Sequence, residues 1–209
     1  MLTAELTDTF DNQVARLVEK GYPNIAGRSE DAFRALVEPL RDRVADLSPT
    51  KADGVLPFVV VVGRALAPPE QMVTALEWNG RPGFSDMDPD DLARFVPIAG
   101  VDLPASPVYL LTEVETGKEF QGVRPDDALP VILARGRSPL TLEEGLAVVT
   151  HHPGILRGQT CFEMLGSRCG DKRVTGLWVS AKRPRLGWCW GGNPHTWLGM
   201  ASCAGRLGE

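Results

Sequence analysis

The hydrophobic period of the chain changes from one end to the other, and that change limits the folds open to it. Near the start, Phe10, Val14, Leu17 and Val18 recur at the spacing of one buried helix face. Near the end, TGLWVSA from Thr175 and LGWCWG from Leu186 have the composition and pattern of strands. Between these ends the two patterns mix. Gly21 and Pro23 stop the first helix, and Ser29 caps a second with Phe33, Leu36, Val37 and Leu40 on its apolar side. Pro39 divides or kinks that second helix. PFVVVV reads as a buried strand, Pro68-Pro69 opens a helix through Glu77, and Asp90–Phe95 is a short helix. VYLLTEVETG is a strand that turns at Thr116-Gly117. Arg124–Arg135 is helical, and Thr141 with Glu144 forms the capping box of a helix that Pro153 ends. Helices first, a mixed middle and strands last predict a single α+β domain with a mostly antiparallel sheet. Its parts are an N-terminal helical arm over 1–50 and an α+β core over 51–209.

At 209 residues the chain suits one domain with an appended element, and it is long enough to bury its own core. The opening MLTAELTDTF has neither the basic start nor the apolar stretch of a secretory leader. The longest apolar run, LPFVVVVG, is far short of the ~18 residues of a membrane span. These features predict a cytoplasmic protein with no membrane contact, whose four cysteines are reduced.

The net charge of −5 is unevenly spread: residues 1–150 carry −10 and the segment from His151 onward +5. A basic segment of this kind attracts anions. Nucleic acid is not the expected partner, because the whole chain is acidic and no recognised binding motif occurs. Binding of nucleic acid is expected to be weak and to fade at physiological salt.

Several motifs begin and fail. DMDPDD over 86–91 starts like a calcium loop, yet its sixth and twelfth positions are Asp91 and Pro97 rather than Gly and Glu. GSRCGDKR over 166–173 resembles a phosphate loop, but three residues separate its glycines and Asp171 precedes the lysine. That turn can still offer backbone N–H groups to an anion, with Arg168, Lys172 and Arg173 around it. The competing reading has Asp171 pairing locally in a salt-bridged turn. Cys161, Cys169, Cys189 and Cys203 lack the close pairs of a structural zinc site, and His151 and His152 point about 100° apart on a helix. No metal, no cofactor and no stoichiometric zinc are expected on that basis. Nucleophilic chemistry would need Cys189 or Cys203 with His195 as base and Asp171 as orienter, and no local signature surrounds them.

The densest stretch is GWCWGGNPHTWLGMASCAGR over 187–206, which holds three of the five tryptophans. On a strand, Trp188 and Trp190 share one face with Leu186, while Gly187 and Cys189 share the other. Gly191–Pro194 is a turn that delivers His195 and Trp197. Apolar walls with a few placed polar groups are the usual make-up of a ligand pocket. The leading expectation is therefore binding, with or without conversion, of a small anionic molecule. Trp188, Trp190 and Trp197 form the walls, Asn193 and His195 supply hydrogen bonds, and Arg168, Lys172 and Arg173 attract charge. In an enzymatic version His195 is the catalytic acid or base. The alternative is a non-catalytic module that meets a protein partner or a second copy through its N-terminal helices, with the Trp/Cys cluster as plain core.

PFVVVV, YLLTEVETG, PLTLEEGLAVVTHHP, GSRCGDKRV and GWCWGGNPHTWLG together resemble an actinobacterial family of uncharacterised proteins, a domain-of-unknown-function group. The resemblance implies a bacterial cytoplasmic protein and assigns no catalytic residue. The scarcity of lysine beside arginine, with abundant Ala, Gly, Pro and Val, agrees with a GC-rich source.

Overall fold

A computed structural model describes residues 2–48, 52–157 and 161–209. Four helices open it: α1 (Leu2–Glu19), α2 (Tyr22–Ile25), α3 (Glu30–Val37) and α4 (Leu40–Ala45). Their breaks follow local chemistry. Gly21 turns the chain between α1 and α2 at a φ of 80°, where side chains are disfavoured. Ser29 Oγ accepts a hydrogen bond from the Ala32 N–H at 3.2 Å and caps α3. Pro39 stands between α3 and α4.

These helices do not stand off as a separate body. Phe10, Val14 and Leu17 of α1, Phe33 and Val37 of α3, and Leu40 and Val44 of α4 enter the same core as the strands. Their apolar faces are thus used within the chain.

Seven strands of three or more residues make up most of the two main sheets: β1 (Leu56–Val62), β2 (Val108–Val114), β3 (Cys161–Met164), β4 (Arg173–Ser180), β5 (Arg183–Trp190), β6 (Leu198–Met200) and β7 (Gly205–Leu207). The first sheet is antiparallel, in the order β1-β2-β7. Its edge strand β1 is finished by the buried Gln13 of α1. Gln13 Nε2 donates to the Phe58 carbonyl at 3.2 Å, and its Oε1 accepts from the Val60 N–H at 2.8 Å. The second sheet runs β6-β3-β4-β5, with the two-residue strand Phe84–Ser85 beyond β5. Its central pairs β3·β4 and β4·β5 are antiparallel, and the two flanking pairs are parallel. The expected α+β domain of mostly antiparallel character is present, with its strands in two main sheets and three two-stranded ones among the described residues.

The helices α5 (Pro69–Ala75), α6 (Pro89–Arg94), α7 (Pro125–Ala134) and α8 (Leu142–His151) complete the domain. Asp88 of DMDPDD caps α6 through the Asp90 N–H at 2.9 Å, while Asp86 and Asp91 pair with arginines. Helix α8 packs against β1 of one sheet, against β3 and β4 of the other, and against α1 and α5. All ten of its residues are buried, so its acids need partners. Thr141 and Glu144 form the capping box, Glu143 pairs with Arg64, and Glu144 pairs with Arg206. At its end, His151 Nε2 donates to the Val60 carbonyl at 2.9 Å. Among the described residues, no helix is long and apolar enough to cross a membrane.

Candidate functional site

The site grows from the hairpin of β4 and β5. Its register sets Val174 opposite Cys189, Gly176 opposite Gly187 and Trp178 opposite Arg185. Across β3, Gly176 also faces Glu163. Because strand side chains alternate, Glu163, Trp178, Arg185 and Cys189 project from one face, with the two glycines between them. The glycines make room for an indole. A Cβ on Gly187 would lie 2.4 Å from Trp178 Cη2, and one on Gly176 would lie 3.3 Å from Trp178 Cζ3 and from Glu163 Cγ.

The loop after β5 folds back over this face and is held by its own backbone. The Gly191 N–H donates to the Lys172 carbonyl at 2.7 Å, and the Gly191 carbonyl accepts from the Asp126 N–H at 3.0 Å. The Asn193 N–H closes a turn on the Trp190 carbonyl at 2.9 Å, and the His195 carbonyl accepts from the Gly122 N–H at 2.9 Å. The result stacks side chains in order: the His195 ring lies 5.7 Å from that of Trp197, and Trp197 meets Trp178 edge-to-face at 5.8 Å.

Glu163, Cys189 and His195 thereby converge, with one carboxylate oxygen, the Sγ and one ring nitrogen all within 4.8 Å of one another. Glu163 is fully buried. Neither of its oxygens has a nitrogen or oxygen partner among the described residues, and His195 Nε2 and Arg185 Nε are buried in the same condition. Arg185 is otherwise committed, to Asp86 at 2.8 Å and over the Trp178 ring. Burial pushes the Glu163 carboxyl up to about 7, against the pull of the Cys189 thiol and of Arg168. Burial first, then the neighbouring Glu163, pushes the Cys189 thiol up to about 12. A thiol so held is protonated at neutral pH, which is the reverse of an activated nucleophile.

The residues anticipated from sequence are divided by the sheet. His195 and Trp197 lie on the Glu163 face. Trp188 and Trp190 lie on the opposite one, edge-to-face at 4.8 Å, with 37% and 47% of their surface exposed. Asn193 sits exposed at the turn. Two of the three cations are paired with acids of the chain. Arg168 pairs with Asp126 at 3.3 Å, and Arg173 pairs with Asp91 at 2.7 Å and Asp171 at 2.9 Å between the Phe95 and Trp188 rings. Lys172 is exposed. The 166–173 segment is thus a salt-bridged turn. Of the suggested nucleophilic set, only Cys189 and His195 meet. Asp171 accepts from the Cys169 thiol at 3.1 Å, and Cys203 is buried near Arg206 and Glu144.

Glu163 was missed, as were Cys161 and Arg157. Glu163 is a lone acid in the short run CFEM, and nothing local marks it. An open cavity of about 360 Å³ borders the same sheet, lined by Trp78, Leu156, Arg157, Cys161, Trp178, Val179 and Trp197. The Arg157 guanidinium lies over the Trp78 ring at 5.7 Å. Beyond that pair a more polar cleft of about 250 Å³ includes Arg16, Glu19 and Lys20.

The molecule is a single α+β domain in which one sheet face carries an aromatic cavity beside a cluster of a buried Glu163 with the half-buried Cys189 and His195. The chain belongs to a family of unknown function, DUF5701, whose model matches residues 16–209. No curated protein and no solved structure matches it.

Proposed function

We propose that the protein binds a small molecule with a flat apolar body and an acidic group in the cavity between Trp78, Trp178 and Trp197. The observation that carries this reading is the cavity itself: three indoles wall it, and Arg157 is its cation. Indole faces and edges recognise planar apolar groups, and a guanidinium pairs with carboxylate or phosphate in a fixed fork. The anion-attracting role expected of Arg168, Lys172 and Arg173 passes in this reading to Arg157. His195 stands beyond Trp197 and, where its ring holds no metal ion, supplies the acid or base if the ligand is converted. The reading is set in the bacterial cytoplasm, with support from four free thiols and the arginine-rich, lysine-poor composition.

Tryptophan fluorescence tests it. Titration with aromatic carboxylates and phosphates should quench emission, while matched neutral and cationic analogues should not. Trp197→Ala and Arg157→Gln should each weaken binding about tenfold or more, a loss of roughly 1.4 kcal/mol. Trp188→Ala, on the other sheet face, should leave it unchanged. Equal binding by Trp197→Ala and the wild type would overturn the proposal.

The role of His195 is open to a separate measurement. Its carbonyl bond to Gly122 survives substitution, and its Nε2 has no partner to lose among the described residues. In the presence of chelator, His195→Ala should therefore cost no more than about 1 kcal/mol, a fall in Tm of about 2–4 °C. A much larger fall in a thermal melt would mark His195 as a structural residue.

A further inference from the structure

We infer that Glu163, Cys189 and His195 bind one divalent transition-metal ion, with zinc(II) best matched to their donor set. Three separate elements, β3, β5 and the loop after β5, bring one oxygen, one sulfur and one nitrogen to within 4.8 Å of one another. On a tetrahedral zinc with bonds of about 2.0–2.3 Å, donor atoms lie roughly 3.3–3.8 Å apart. Small side-chain rotations cover that difference.

A second observation is independent of that spacing. Glu163 is fully buried, and both of its oxygens lack a nitrogen or oxygen partner among the described residues, as does the buried His195 Nε2. Buried polar groups are rarely left so, and a buried acid with no cation is costly. The nearby arginines are held elsewhere, Arg185 by Asp86 and Arg168 by Asp126. A metal ion satisfies the carboxylate, the imidazole and the thiolate together.

The donors select the class of ion. Magnesium and calcium take all-oxygen shells, whereas a thiolate with an imidazole suits zinc, and cobalt(II) substitutes in the same geometry. Three protein donors leave a fourth tetrahedral position for water or a ligand, the arrangement of catalytic rather than structural zinc. The site is also braced from outside: the backbone bonds of Gly191 and of the His195 carbonyl fix the loop that carries the imidazole. Spacing along the chain hid this set, since only Cys189 and His195 are near in sequence. The inference does not depend on the cavity or on its ligand.

The test uses the full chain, stripped with chelator and titrated with cobalt(II) under reducing conditions. One equivalent should produce tetrahedral visible bands and a thiolate-to-cobalt charge-transfer band, and one equivalent of zinc(II) should abolish both. Cys189→Ser should remove the charge-transfer band. Glu163→Gln and His195→Ala should each weaken binding at least about tenfold, no less than outer-shell changes alone produce. Cys169→Ser should behave as wild type. In the wild type, zinc should also protect Cys189 from alkylation, read by peptide mass spectrometry, so the result stands even where a variant fails to fold. Failure of the wild type to bind one equivalent, a charge-transfer band that persists in Cys189→Ser or is lost in Cys169→Ser, or alkylation of Cys189 indifferent to zinc would each overturn the inference.

Discussion

Arg206→Ala should destabilise the chain by about 3–5 kcal/mol, the usual cost of leaving one member of a buried ion pair alone. Arg206 Nε lies 2.6 Å from Glu144 Oε1, and its Nη2 lies 2.8 Å from Oε2, with side chains only 6% and 0% exposed. The same guanidinium donates to Ser138 Oγ at 2.6 Å and to the Pro139 carbonyl at 3.1 Å. Tyr109 donates to Glu144 Oε1 at 3.0 Å, and burial beside that carboxylate pushes its phenol well above the ordinary range. Truncation at 206 would strand the carboxylate inside the domain and release β7 from α8. At about 2–4 °C per kcal/mol, Tm should fall by roughly 6–20 °C. Arg206→Met with Glu144→Gln should recover much of the loss, because the uncompensated charge is gone while the glutamine keeps the cap. The exposed pair Arg34–Glu30 supplies the contrast, since its removal should cost well under ~1 kcal/mol. If Arg206→Ala melts like the Arg34 variant, the buried pair does not hold α8 as described.

His151→Gln should gain about 2 kcal/mol relative to the wild type as pH falls from 6.5 to 5. His151 is fully buried, and its Nε2–H donates to the Val60 carbonyl. Burial lowers its pKa from 6.5 to about 3, with the charges of His152 and Arg16 adding to the effect against the Val60 bond. Below the unfolded pKa the unfolded chain takes up a proton that the folded chain refuses until about 3. The stability present above pH ~6.5 is therefore lost at about 1.4 kcal/mol per pH unit on acidification. Glutamine keeps a donor for Val60 and does not titrate. The comparison must be between the two chains, because Glu163 acts in the opposite sense. Its folded pKa near 7 stabilises the metal-free fold below the unfolded value, and that stability is lost as pH rises toward 7. Both chains share that contribution. Urea unfolding across this range in the presence of chelator gives the difference directly, and parallel profiles would show that His151 is not held neutral.

Much of the local structure was legible because its causes are local. The caps at Ser29 and Thr141, the divisions at Gly21 and Pro39, and the strand character of TGLWVSA from Thr175 and LGWCWG from Leu186 depend on dihedral preferences and neighbours a few residues away. Alternation along β5 also separated Trp188 and Trp190 from Cys189 correctly. It could not say where the chain would go after Trp190. That was decided by Lys172 and Asp126, whose backbone groups take both polar atoms of Gly191 and send His195 and Trp197 to the face away from Trp188. The pairing of β3 with β4 was equally out of reach, since CFEM is too short to show a period and its register rests on partners elsewhere. Residues 163, 189 and 195 come together only through that register and that return of the loop. The sequence alone therefore determined most of the helices and the longer strands. Only the tertiary structure decided which of their faces meet, because side chains on adjacent strands become neighbours through pairing, not through distance along the chain.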